Sequence, residues 1–539
     1  MRFGLLSALA LAFAASLEAQ SPAPGLRIYG DNNATVTNLV DDLGTVVHTW
    51  NSTFRPGQAN YVLPDGTLLR AINVGGPITI PGTGGGVQRV ALDGTVLWDY
   101  RHSSATYTSH HDVHGMPNGN VLLIVWEQKT AAAAFAAGRN PAYLPTSPVF
   151  YPDSIVEVQP TGPTTGVVVW EWHLWDHLIQ DFNTASANYG VVANHPELMD
   201  INYPPLVVAD GDWNHSNGLD YDPIHDWVML SVRQQNEIII LDHSTTTAQA
   251  AGHTGGRWGK GGDILYRWGN PEAYRRGTLA DEILFGQHCP RFIPPGYPGA
   301  GNVTVFNNEY QTNVSAVHEF VLPVDANGNF ILGPNGRYGP AAPLWTYTAP
   351  GFHSAVVSSA QRLPNGNTLI CSGFPAGRMF EIDPSGTIVW QVNSANLVFQ
   401  CNYVDRHLWA DRTTLSVAAG GTVAFDLIAG TRHTNRAYLM LGSLSGTTPG
   451  IDLGPGLHLP LNYDLFTTLT LTSVNHPPFQ QTSSFVNAQG RATAAFQVPA
   501  GFLPPDLVGL QMDFAYVVID PATLSLTLTS NAVPVRIQS

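Results

Sequence analysis

One turn, used repeatedly, limits what this chain can become. Pro117-Asn118-Gly119-Asn120 and Pro364-Asn365-Gly366-Asn367 each stand between two β-rich runs, and Pro64-Asp65-Gly66-Thr67 is a variant of the same turn. Asn-Gly and Asp-Gly tolerate the positive φ of a tight hairpin, so each copy marks a reversal between neighbouring antiparallel strands. A second beat accompanies the turn: six β-rich runs close on a tryptophan, at Trp50, Trp98, Trp170, Trp268, Trp345 and Trp390. The first closing run has no opening strand before it, whereas the last is followed by an orphan run, residues 397–404. If the late strand joins the early ones in a shared sheet, a ring closes and the exposed sheet edge disappears. Two stacked sandwiches would also be all-β, but radial repetition explains the regular turn and Trp rhythm better. The expected fold is therefore an all-β, six-bladed β-propeller over residues 20–411. Beyond Trp409 no further Trp occurs, and Leu, Thr, Ala and Val alternate, as at 414–417 and 468–471, predicting a β-sandwich over 412–539.

Residues 1–19 have the layout of a cleavable secretory signal, with Arg2, an apolar stretch from Leu5 to Ala15 and small residues before Gln20. That stretch is too short to span a bilayer and no later one is long enough, so the expected product is exported, periplasmic or extracellular, and not membrane-spanning. A net charge of −16 provides no basic stripe for a phosphate backbone, which argues against nucleic acid as a partner. Three cysteines, Cys289, Cys371 and Cys401, permit one disulfide at most and lack the paired spacing of a zinc site.

The innermost strands of a propeller line a central channel, so residues where those strands begin converge on one spot. Histidines stand there in several units: His111, His215 in Asn214-His215-Ser216-Asn217, His288 in Gln287-His288-Cys289, and His353 in Phe352-His353-Ser354. Arg233 closes an apolar strand, Val228 to Val232, and a lone guanidinium among apolar residues needs an anion or a carboxylate. Histidines beside a guanidinium suit a planar or tetrahedral anion, with one imidazole free to act as nucleophile or base. His114 is an alternative to His111 as the channel-facing member. Converging imidazoles also suit a metal, which the neighbouring arginine opposes. His48, His225, His243 and His253 read as structural, Cys289 as buried, and the stretch from Gly252 to Gly261 as a glycine-rich surface loop without the spacing of a phosphate loop.

Taken together, His-His-Asp before Pro-Asn-Gly-Asn, Asn-His-Ser-Asn followed by Ser-Val-Arg, Gly-Gln-His, and Ala-Gln-Arg-Leu-Pro-Asn-Gly-Asn-Thr-Leu-Ile resemble the bacterial arylsulfate sulfotransferases over about residues 30–405. The resemblance implies a propeller with its active site in the central channel, aryl sulfates and phenols as small-molecule partners, and no cofactor or nucleotide donor. It implies further that His288 is the nucleophile and becomes a transient sulfohistidine. His215, Asn217 and Arg233 would bind the sulfuryl group, and His111 would be the acid-base residue. His353 is kept as an additional substrate contact, no metal ligands are assigned, and the oligomeric state is left open. Two other readings stand beside this one. A non-catalytic propeller that binds a ligand or partner predicts that the histidines and Arg233 fail to converge. A metal-dependent hydrolase or lactonase needs carboxylates in the channel, with Asp112 and Asp220 as the nearest candidates.

Overall fold

The computed structural model describes residues 21–144, 148–205, 211–454 and 456–539; the expected signal, residues 1–19, lies outside them. Six four-stranded antiparallel sheets occur among the described residues up to Val404. They follow one another along the chain as up-and-down meanders, and their innermost strands are Cys401–Val404, Arg55–Val62, Tyr107–Gly115, Ser216–Asp222, His288–Phe292 and Ser359–Arg362. Each innermost strand packs beside that of the next sheet, and the sheets are the blades of a β-propeller.

Both sequence signals have physical counterparts. Gly119 and Gly366 adopt φ of 87° and 89° in the reversals between first and second strands. The closing tryptophans lie on the outermost strands, and their indoles reach the following blade. Trp50 Nε1 donates to the Ala91 carbonyl at 2.9 Å, Trp98 to Thr165 at 3.0 Å, Trp170 to the Thr245 hydroxyl at 3.1 Å, Trp268 to Pro340 at 2.8 Å, and Trp390 to Asp41 at 3.2 Å. Trp345 instead lies under the Arg362 guanidinium of the next blade, which stands 4.9 Å from its ring centre. The tryptophan rhythm is therefore an inter-blade fastening, each hydrogen bond worth about 1 kcal/mol net besides the buried ring.

The ring closes as its sequence pattern requires. Cys401–Val404 pairs antiparallel with Leu26–Gly30, so the first blade takes its innermost strand from the end of the propeller sequence and the other three from the start. The fully buried Arg27–Glu381 ion pair, 2.5 Å, ties that blade to its neighbour.

The strand Leu408–Ala410 pairs with Gly421–Ile428, so the chain leaves the propeller at 405–407, a few residues before the expected boundary. Beyond it, a four-stranded and a six-stranded sheet share one apolar core that includes Phe425, Phe496, Phe514 and Val535. One segment expected as strand is helical: Leu465–Thr472. Asp464 accepts from the Phe466 and Thr467 amides at 2.8 and 2.9 Å, and this capping outweighs the β preference of the Thr-Leu alternation while Phe466, Thr467 and Thr470 turn inward. The second unit rests on the first through Thr431, whose amide donates to Asp41 at 2.7 Å, and Trp409, whose indole donates to the Gly66 carbonyl at 3.0 Å.

Candidate active site in the central channel

The innermost strands do not run straight into the channel. β-Bulges interrupt those of four blades, between Pro56 and Asn60, His110 and Val113, Ser216 and Leu219, and His288 and Arg291. Gln58, His111, His215 and Cys289, within or beside these bulges, have positive φ. A bulge breaks the two-residue alternation and re-aims a side chain, which is how adjacent blades turn polar groups toward one point. The result is a cavity of about 370 Å³ whose wall includes His111, His215, Arg233, His288, Asp212 and Gln58 on its polar side and Val356, Val357 and Leu397 on its apolar side.

His288 is held in one orientation. Its Nδ1 lies 2.7 Å from Asn308 Oδ1 and 3.0 Å from the Gly286 carbonyl, both acceptors, so Nδ1 carries the proton. Nε2 therefore bears the lone pair, and it accepts the Val357 amide at 3.1 Å. Asn308 is fixed in turn by donating to the Ser354 and Val357 carbonyls at 2.8 and 2.9 Å. Burial foremost, then the nearby Arg233, keeps the His288 pKa well below its ordinary value. The imidazole is neutral at pH 7.

His111 packs edge-on against His215, ring centres 4.6 Å apart. Its Nδ1 is 2.8 Å from Nδ1 of His110, whose ring stacks on Trp126 at 3.8 Å and whose Nε2 faces Asp153 at 3.4 Å. With the His110 proton directed at Asp153, His111 Nδ1 is the donor in the pair and Nε2 is left as an acceptor. Burial, and the charges of His215, His110, His288 and Arg233, hold the His111 pKa well below its usual range. The ring lies directly over Gly82, where a Cβ would fall 2.0 Å from Cε1. His215 is oriented by a short contact from Nδ1 to Asp212.

Arg233 begins the turn Arg233–Gln235 just past the strand Trp227–Val232, and its guanidinium lies over Gly286, 3.8 Å from where a Cβ would stand. Among the described residues its guanidinium makes no hydrogen bond or ion pair, and burial lowers its pKa. A buried cation facing a cavity with three histidines is suited to hold an anion.

Of the expected site residues, His111, His215, Arg233 and His288 meet at this cavity. Asn217 is fully buried and does not line it; its amide donates to the Gln287 carbonyl at 2.9 Å and braces the backbone that precedes His288. His353 does not line the cavity; it pairs through Nε2 with Glu309 at 3.0 Å. His114, the alternative to His111, instead faces Asp220 at 3.4 Å, with its pKa lowered to about 4 by burial and Arg291. Neither carboxylate named for a metal-dependent reading lines the cavity: Asp112 accepts from the Tyr61 hydroxyl at 2.7 Å and the Leu219 amide at 3.0 Å, while Asp220 accepts the Phe292 amide at 2.7 Å. The three cysteines are free and buried.

Asn308, Asp212 and the His110–Asp153 pair escaped the sequence reading. Only Asp212, three residues before His215, carried a signal, that of a side chain placed to orient a nearby imidazole. Val357 and Ser358 also have positive φ, 56° and 94°. A β-branched residue there is uncommon, and this backbone brings the Val357 amide to His288.

The sequence profile of the family described as Arylsulfotransferase (ASST) matches residues 31–403. The chain belongs to the arylsulfotransferase family. The match begins just after the strand Leu26–Gly30 and ends within the closing strand Cys401–Val404, so the second unit lies outside the family region. No curated protein sequence matches the chain. Similar solved structures include a protein of unknown function from Bacteroides caccae, 11% identical with a TM-score of 0.39. Another is the periplasmic gluconolactonase of Pseudomonas aeruginosa, 12% identical with a TM-score of 0.37. Each alignment covers 71% of this chain and 99% of the other.

Proposed function

We propose that this arylsulfotransferase-family protein is exported and moves a sulfuryl group from an aryl sulfate to a phenol through a sulfohistidine on His288. The observation that carries the reading is the state of His288: neutral, with Nδ1 held by Asn308 and Nε2 bearing the lone pair, in a cavity it shares with Arg233, His111 and His215. Arg233 and His215 hold the sulfuryl oxygens, and Val356 and Leu397 receive the aryl ring. Nε2 attacks sulfur, the S–O bond to the aryl group breaks, and the departing phenolate takes the proton that His111 Nε2 acquires when the anionic donor binds beside it. The acceptor phenol then attacks the same sulfur, the N–S bond breaks, and His111 takes the acceptor proton. Charge on the transferred group is met by fixed cationic and N–H groups, the principal source of catalysis in the related phosphoryl transfers. The Val357 amide, which occupies the Nε2 lone pair at 3.1 Å, has the sulfuryl oxygens as alternative acceptors once the donor arrives.

The test is release of 4-nitrophenol from its sulfate ester with and without added phenol, together with mass analysis of the rapidly quenched protein. Phenol-dependent release and a sulfuryl group on the peptide containing His288, both absent in His288→Ala, are expected. Phenol-independent release would make water the acceptor. A fully active His288→Ala would exclude the covalent route.

A further inference from the structure

Away from the channel, a glycine-rich loop between the third and fourth strands of the fourth blade lies against the segment that leaves the third blade, and the proposed reaction uses neither. We propose that His177, His253 and Asp263 there form a binding site for one divalent transition-metal ion, with zinc the expected occupant. Among the described residues this is the one group of three such side chains whose ligand atoms all lie within 4.8 Å of one another. Asp263 Oδ1 is 2.9 Å from His177 Nδ1 and 2.7 Å from His253 Nδ1.

The decisive detail is on the far side of His177. Its Nε2 lies 2.8 Å from the Ala250 carbonyl, which can only accept, so Nε2 carries a proton. In the neutral ring Nδ1 then has a lone pair aimed at a carboxylate oxygen, an unfavourable contact unless a cation lies between them. A metal-bound imidazole normally donates its other N–H to a carbonyl or carboxylate, as this one does. His177 is fully buried and stacks on Trp172 with an interplanar angle of 7°. The loop is shaped around it: a Cβ on Gly262 would stand 2.6 Å from Nε2. Two imidazole nitrogens and a carboxylate oxygen suit zinc. Zinc bonds of about 2.0–2.1 Å separate tetrahedral ligand atoms by roughly 3.3 Å, so each contact needs to open by about half an ångström. His253, exposed at the loop surface, leaves the fourth position to water. Bound metal would fasten the 252–262 loop to the end of the third blade.

The experiment is metal analysis of the full-length protein after dialysis against chelator and reloading with one equivalent of zinc or cobalt. Wild type should retain one ion per chain, and the cobalt form should show the intense visible bands of tetrahedral coordination. His253→Gln, at an exposed position, should weaken binding at least tenfold, and Asp263→Asn should remove it. Wild type that is folded but holds no stoichiometric metal would overturn the proposal and leave His177 and Asp263 as a hydrogen-bonded pair. Undiminished binding in both variants would also overturn it. The readout is independent of sulfuryl transfer.

Discussion

Replacing Gly82 by alanine tests the role given to His111 without touching any reacting group. The added Cβ would lie 2.0 Å from Cε1 and 2.2 Å from Nε2 of the His111 ring, where ordinary carbon contacts are about 3.5–4.0 Å. The ring must therefore retreat by about 1.5 Å, and Gly82, at φ 99°, adds backbone strain of about 1–3 kcal/mol on substitution. A displacement of about 1 Å in a positioned group costs on the order of 100-fold in rate. The loss should depend on the leaving group. Donors with poorly acidic phenols require the His111 proton and should lose roughly 100-fold in kcat, whereas 4-nitrophenyl sulfate should still sulfate His288. The assay is turnover across a series of aryl sulfates, with thermal melting to verify the fold. A folded Gly82→Ala protein with a uniform loss under threefold across the series would refute an acid-base role for His111 in this position.

Asn308→Leu removes the 2.7 Å acceptor that fixes the His288 proton on Nδ1 and frees the carbonyls of Ser354 and Val357; kcat should fall by about 10-fold or more, with KM changed less, in steady-state kinetics. His353→Ala should stay within twofold of wild type in the same assay, since the ring pairs with Glu309 away from the cavity wall. The acid limb of activity should lie below pH 6.5, because burial keeps the attacking imidazole of His288 neutral; a pH–rate profile already falling at pH 7 would contradict this. Stability should show the same sign. Buried His102, His318 and His433 have folded pKa values of about 4, below the ordinary 6.5, so their contribution is complete above pH 6.5 and is lost as pH falls toward 4, seen as a declining Tm.

The propeller was legible because its signals are local and repeated: the Asn-Gly reversals, the closing tryptophans and the displaced strand at 401–404 each carry a fixed backbone or packing meaning. The site was legible only in part. His111 and His114 lie three residues apart on one strand, and the bulge that selects His111 has no distinctive local residue pattern. Asn308 was missed because it acts from the second strand of its blade, where it stands between Asn307 and Glu309 and has no periodic signature. His353 lies on a loop, where the alternation that orients strand side chains does not apply. The helix at Leu465–Thr472 shows the same limit, since one aspartate cap outweighed an alternating pattern.

The pairing of Ile28 with Asn402 spans 402 − 28 = 374 residues. That seam is the most non-local contact of the ring and cannot form until nearly the whole propeller sequence is available, so closure belongs late in folding, where long loops make β pairing slow. The same seam governs loss of the native state. While it is shut, no blade at the join can peel away as a free edge, and interactions formed after the folding transition state mainly slow unfolding. Weakening Arg27–Glu381, which lies beside the join, should thus shorten the lifetime of the folded protein more than it delays its formation.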